Sequence, residues 1–161
     1  MAWFTTYRER LKERIEEFRL NRLGESINQE TFVEKACPMA NMQERSLILL
    51  IRDIIARTCH IPPELLDPGD KTAELAKLMG GTTLIESLFG GPYGFDLDTF
   101  FIDLVNSLRE SSISLRHIDK RVVEVVCVRY WDFRTEFGTM ADVGSFTSAL
   151  AHELIEAAKA T

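Results

Sequence analysis

Acidic and hydroxyl side chains are concentrated in the segment Asp96-Leu97-Asp98-Thr99, and Asp103 follows shortly after it. Carboxylates grouped in this way can bind a divalent cation, or they can stabilise the positive N-terminal end of a helix. On a helix of about 3.6 residues per turn, Asp103 lies almost half a turn away from the face that carries Asp98. The spacing therefore favours helix capping over a metal site, with Asp96 at the N-cap and Asp98 in the first turn.

The nucleophilic side chains of the chain do not form a recognisable catalytic pattern. Ser87 lies in Glu86-Ser87-Leu88, no G-x-S-x-G motif is present, and nothing in the sequence supports a serine–histidine–acid arrangement. The cysteines and histidines are widely spaced and include no C-x-x-C pair, so we expect reduced, buried thiols and no metal site. These residues are Cys37, Cys59, Cys127, His60, His117 and His152.

Hydrophobic residues at helical spacing predict that helices position these side chains. The clearest pattern covers residues 43–59, where an apolar stripe recurs every three or four positions and Ser46 lies near the start. Pro62 and Pro63 end this helix, because proline lacks an amide donor and restricts the residue before it. The stripe consists of Leu47, Leu50, Ile51, Ile54 and Ile55.

The N-terminal third of the chain has a different character. Residues 4–23 predict an amphipathic helix that ends near Gly24. Residues 25–45 are polar and irregular, and they predict a connector with a short helix around residues 30–35. We therefore predict two parts: an N-terminal helical arm and connector over residues 1–45, and a helical domain over residues 46–161.

Two further segments of the second part have the periodicity of helices with one buried face. They cover residues 96–109 and 140–158. Residues 118–133 are ambiguous, because their valines favour a strand while their spacing also permits a buried helix. The fold class predicted from these patterns is mainly α, with the state of residues 122–129 left open.

Composition and charge limit the partners that this chain can have. The chain has 161 residues and a formal net charge of -6, which argues against nucleic acid as the main partner. The apolar run Leu47–Ile51 is interrupted by Arg52 and Asp53, far short of the roughly 20 residues that span a bilayer. The N-terminus reaches Arg8 and Arg10 before an apolar run can form, so we expect no signal peptide there. We therefore expect a cytoplasmic protein with neither a nucleic acid nor a membrane as partner.

Three blocks of the sequence together resemble the acyl carrier protein family. Residues Ile51–Leu75 resemble the family's first helix and the loop after it, and Asp96-Leu97-Asp98-Thr99 resembles the D-S-L-D-T motif at the start of its second helix. Gly138–Val143 resembles the start of its last helix. The resemblance implies a four-helix acyl-carrier-like bundle, here enlarged by an additional N-terminal helical arm.

Asp96 occupies the position at which this family carries the serine that accepts phosphopantetheine. The transfer requires a hydroxyl oxygen, whereas a carboxylate is a poor nucleophile that would leave a labile mixed anhydride. The resemblance therefore implies a non-enzymatic protein-interaction module that carries no cofactor. In the family, the second helix and the preceding loop face partner enzymes. This makes Asp96, Asp98, Thr99 and Asp103 the expected recognition face for a protein partner with a basic surface.

Two alternatives remain open at this point. In the first, the chain is a functional carrier whose 4'-phosphopantetheine is attached to Ser87, since Glu86-Ser87-Leu88 mimics the D-S-L of the motif. In the second, the chain is an unrelated helical scaffold that forms homo-oligomers through residues 4–23.

Overall fold

Helices make up most of the residues that the structure describes. The computed structural model describes residues 2–76, 78, 97–113, 115, 118–131 and 142–160. The mainly α class is confirmed, because none of these residues belongs to a β-strand and the sole bridge among them pairs Lys71 with Asp142. The elements are α1 (Ala2–Asn21), α2 (Gln29–Ala36), α3 (Met42–Thr58), a 3-10 turn (Pro63–Leu65), α4 (Thr72–Ala76), α5 (Leu97–Glu110), α6 (Lys120–Trp131) and α7 (Val143–Lys159).

The start of α3 is fixed by a capping box. Asn41 accepts a hydrogen bond from the Glu44 amide at 3.0 Å, and the Glu44 carboxylate accepts one from the Asn41 amide at 2.8 Å. Such reciprocal caps satisfy amides that have no partner within the helix. Ser46, which was expected near the start, lies one turn further on and donates to the Met42 carbonyl. The helix therefore begins slightly earlier than its apolar stripe indicated.

Within the ambiguous segment 118–133, residues Lys120–Trp131 form a helix, α6. Its buried residues Val123, Val126 and Cys127 are spaced three and four apart, while Glu124 and Val125 are exposed. This spacing produces one buried face on a helix, whereas a strand would bury alternate residues. The β-branched side chains are accommodated because packing against the core outweighs their weak intrinsic preference.

A single core of apolar side chains lies between the helices. α3 packs against α7, α5 and α2, and α6 packs against both α5 and α7. Phe100 of α5 meets Phe146 of α7 edge-on, with ring centroids 6.2 Å apart and an interplanar angle of 60°. Phe32 and Val33 of α2 lie in the same core, so this helix of the predicted connector contributes to the packing. The boundary predicted at residue 45 stays a prediction.

The end of α1 is tied to the rest of the chain. Gly24, with φ +91°, supplies the left-handed conformation that follows the helix, as its position in the sequence indicated. Arg19 donates to the His60 carbonyl at 3.0 Å, and Arg22 pairs with Asp70. Ile15 and Phe18 pack partly against the core. The last turns of α1 are therefore packed against the core and the segment that contains His60 and Asp70.

Gly144 lies at a close approach between three elements. A Cβ at this position would lie 2.9 Å from Pro68 Cβ, 3.1 Å from Pro68 O and 3.3 Å from Ala36 Cα. The Gly144 amide also donates to the Pro68 carbonyl at 2.7 Å, so the backbone cannot easily move away.

We expect Gly144→Ala to lower the free energy of unfolding by about 1–3 kcal/mol, the range for overpacking. Alanine would otherwise stabilise a helix by about 1 kcal/mol relative to glycine. Urea unfolding followed by circular dichroism measures the change. Ser145→Ala, at the exposed neighbouring position, is the control and should stay within about 0.5 kcal/mol of wild type. A Gly144→Ala protein as stable as wild type would show that the contact with Pro68 relaxes freely.

Candidate functional site

The predicted recognition face is only partly within the described residues. Ser87 and Asp96 lie outside them. Asp98 and Thr99 belong to the first turn of α5, but their side chains also lie outside the described set. Asp103 is described and is half-buried. α5 starts at Leu97, within one residue of the predicted helix start.

The outer side of α5 combines apolar and polar groups. Ile102 is 51% exposed and is one of six large apolar side chains that are more than half exposed among the described residues. Asn106 is exposed one turn further on, while Phe100 and Leu104 are buried on the opposite side. The helix therefore presents an accessible isoleucine beside the Asp103 carboxylate.

The loop of residues 67–71 holds the most buried carboxylate of the described chain. Asp70 is 8% exposed, and its Oδ1 accepts a hydrogen bond from Arg22. Its Oδ2 accepts from the Asp67 amide at 2.8 Å, and its main-chain carbonyl accepts from the Val143 amide at 2.8 Å. Burial raises the pKa of Asp70, opposed by the Asp67 amide and the Arg22 guanidinium.

Further contacts hold the same loop against α2 and α7. The Asp67 carboxylate accepts from the Gly69 amide at 2.7 Å and lies 3.6 Å from Lys35 Nζ. The Pro68 carbonyl accepts from the Gly144 amide. Because both carboxylates of the loop are engaged by groups of the same chain, this cluster is suited to holding helices together and does not present a free acid or base.

A buried arginine forms the second polar cluster. Arg52 is 2% exposed, and its Nη2 donates to the Ile27 carbonyl at 2.8 Å and to the Pro63 carbonyl at 2.6 Å. Its guanidinium lies 4.5 Å from the centroid of the Phe32 ring, in cation–π geometry. The Ile27 amide donates in turn to the Glu64 carbonyl at 2.8 Å. The side chain therefore clamps the α1–α2 connector onto the 3-10 turn.

Burial dominates the electrostatics of this clamp. Desolvation lowers the pKa of Arg52, opposed by the nearby charges of Asp53 and Glu64. The Nε atom is buried and has no hydrogen-bond partner among the described residues. Even with a lowered pKa, a guanidinium stays charged at neutral pH, so Arg52 is a fixed cation and not a proton carrier.

Sequence reasoning missed both polar clusters. It treated Arg52 as an interruption of an apolar run, although the residue lies four positions after Ile48 and three before Ile55, on the buried face of α3. A charged residue on the apolar face of a helix indicates a buried polar contact, and this pattern could have been read from the sequence. The Arg22–Asp70 pair joins residues 48 positions apart, and no local pattern indicates such a pair.

Two of the three thiols are buried as the sequence predicted, whereas Cys37 is not fully buried. Cys59 and Cys127 are buried, and Cys37 is half-buried, and all three are free. Burial raises the pKa of both Cys59 and Cys127 to about 12, with the charge of Asp70 adding to the effect at Cys59. Since the thiolate is the nucleophilic form, neither buried thiol is suited to covalent catalysis near neutral pH.

We expect N-ethylmaleimide at pH 7.5 to modify Cys37 at least about tenfold faster than Cys59 or Cys127, because only Cys37 is accessible in the folded protein. Peptide mapping of the labelled protein identifies the modified positions. All three thiols should react readily in guanidinium chloride, which serves as the control. Labelling of Cys59 or Cys127 at the rate of Cys37 would contradict their burial.

Metal-ligating side chains are not clustered within the described part of the chain. There, no three His, Cys, Asp or Glu side chains are grouped so that they could hold a metal ion. No helix in the described ranges combines the length and the apolar character needed to cross a bilayer. Comparison with protein-family models, with curated proteins and with solved structures found no significant match to this chain.

Proposed function

We propose that this chain is a non-enzymatic, acyl-carrier-like protein-interaction module that lacks the pantetheine serine and binds its partner through α5. The observation that carries the proposal is the outer side of α5, where Ile102 is accessible beside Asp103. An exposed apolar side chain next to a carboxylate suits a partner surface that pairs an apolar pocket with basic residues. The first turn of the same helix contains Asp98 and Thr99.

In this proposal, α3, α5, α6 and α7 are the four helices of the carrier-like bundle. Their packing is compatible with it, since α3 and α6 each contact both α5 and α7. The 3-10 turn at Pro63–Leu65 falls in the long loop between the first two of these helices. The N-cap of α7 is Asp142, whose carboxylate accepts from the Ser145 amide at 2.7 Å, within the third block of the resemblance.

A site-specific crosslink tests the role of α5. Replacing Ile102 with p-benzoylphenylalanine and irradiating cells that express the full chain should yield a discrete crosslinked protein. Val125 on α6 is the matched control, because it is also a large apolar residue and is 67% exposed. The product at position 102 should weaken when Asp103→Lys is added. Equal products from positions 102 and 125, or none from 102, would overturn the proposal.

Phosphopantetheine transfer separates the interaction module from the carrier alternative. The purified chain is incubated with coenzyme A and a promiscuous phosphopantetheinyl transferase, and its intact mass is then measured. We expect no added mass, because a carboxylate occupies the motif's serine position. A gain in mass that Ser87→Ala abolishes would establish the carrier alternative, with Ser87 as the attachment site.

The oligomeric scaffold remains the second candidate, favoured by one observation. Leu20 on α1 is 56% exposed, which leaves an apolar contact open on this helix. Light scattering over a range of concentrations distinguishes the two candidates. The interaction module is expected to stay monomeric, whereas a dimer that Leu20→Lys dissociates would support self-association through residues 4–23.

A further inference from the structure

In loop 67–71, Asp70 is hydrogen-bonded both to the residue that follows α1 and to the first residue of α7. The Asp70 side chain accepts a hydrogen bond from Arg22 at the end of α1. The Asp70 main-chain carbonyl accepts one from the Val143 amide at the start of α7, at 2.8 Å. Two residues earlier in the loop, the Pro68 carbonyl accepts from the Gly144 amide at 2.7 Å.

We infer that loop 67–71 couples the docking of α1 to the closure of the first turn of α7, so that releasing the end of α1 loosens the start of α7. This inference is independent of the proposed function. The loop holds the C-terminal end of α1 through Asp70. Whether that end is docked or released therefore affects the start of α7, which binds the same loop.

The first amides of α7 depend on this loop for their hydrogen bonds. The first four amides of any helix have no partner within the helix. In α7, the Asp142 carboxylate accepts from the Ser145 amide, while Val143 and Gly144 donate to carbonyls of loop 67–71. A shift of this loop therefore removes the partners of two helix-start amides together.

Arg22 is well placed to control the position of the loop. Asp70 is 8% exposed, so its carboxylate is largely withdrawn from water and needs a partner. Its other oxygen is engaged by the Asp67 amide within the same loop. Without Arg22, solvation of the carboxylate requires the loop to move outward, and this movement carries the Asp70 carbonyl away from Val143.

The chain offers a matched control contact. Arg19 Nη2 donates to the His60 carbonyl at 3.0 Å, which also fastens α1 but lies outside loop 67–71. Removing this contact should weaken the docking of α1 without leaving Asp70 unpaired. Arg19 lies in the last turn of α1 and Arg22 directly follows its last residue, so Arg22→Gln and Arg19→Gln remove the same charge three positions apart at the same helix end.

Amide hydrogen exchange of the full-length chain tests the coupling. Arg22→Gln should speed the exchange of the Val143 and Gly144 amides by about fivefold or more, a typical coupling magnitude. Arg19→Gln should change them by less than about twofold, and the α3 core amides should exchange at wild-type rates in both variants.

Three outcomes would overturn the inference. In the first, the Val143 and Gly144 amides keep their wild-type exchange rates in Arg22→Gln. In the second, Arg19→Gln speeds them equally. In the third, they accelerate only in step with the α3 amides, which would indicate global destabilisation. Should Arg22→Gln fail to fold, Arg22→Met is tested in the same way, since it keeps an apolar stem of similar length while removing the guanidinium that lies 5.3 Å from the centroid of the Phe18 ring.

Discussion

Arg52→Ala should lower the free energy of unfolding by about 3–5 kcal/mol, one of the two largest effects that we expect in this protein. The substitution removes two charge-assisted hydrogen bonds, to the carbonyls of Ile27 and Pro63. It also leaves a void over the ring of Phe32, against which the guanidinium lies. Urea unfolding monitored by circular dichroism gives the change.

Other substitutions separate the contributions of this arginine. Arg52→Met keeps much of the volume and should recover part of the loss, while Arg52→Lys keeps the charge but cannot reproduce the planar fork. Arg57→Ala, on the exposed side of α3, is the control and should change stability by less than about 0.5 kcal/mol. If the free energy of unfolding of Arg52→Ala lies within about 1 kcal/mol of the wild-type value, water replaces the contacts of Arg52 without loss of stability.

The second large effect is expected for Phe100→Ala, which should destabilise the protein by about 3–5 kcal/mol. Phe100 is fully buried and makes an edge-on contact with Phe146, so its removal opens a cavity between α5 and α7. The same unfolding experiment measures this change. Phe100→Leu, which fills part of the space, should have a smaller effect.

Ile102→Ala is the control for Phe100 on the same helix. Because Ile102 is half exposed, its truncation should have a small effect on stability while weakening the contact proposed for α5. If Phe100→Ala and Ile102→Ala destabilise the protein equally, the assignment of inner and outer faces to α5 is wrong.

The helices with strong periodicity could be predicted from the sequence alone. Of the predicted stripe on α3, Leu47, Ile51, Ile54 and Ile55 are buried in the core, while Leu50 is only partly buried against it. Proline chemistry likewise placed the end of that helix before Pro62. These features depend on local patterns of apolar residues and backbone restrictions, which the sequence records directly.

The remaining features depend on contacts between distant segments. Residues Lys120–Trp131 form a helix and not a strand, and this helix packs against α5 and α7, which are contacts that no single segment encodes. The pairing of Arg22 with Asp70 and the clamp of Arg52 likewise require the folded chain. For the candidate site, the sequence predicted the start of α5 but not that Ile102 would be accessible, and the recognition role of the acidic positions stays a prediction.

The Arg52 clamp also bears on how this protein assembles. Its two acceptors lie 25 residues before and 11 residues after it in the chain, so three separate segments must converge before both hydrogen bonds are formed. A partly assembled chain carries the desolvation penalty of the guanidinium without those bonds. Folding intermediates in which α3 is already packed but the α1–α2 connector is not yet bound to Arg52 are therefore disfavoured. This makes folding more cooperative.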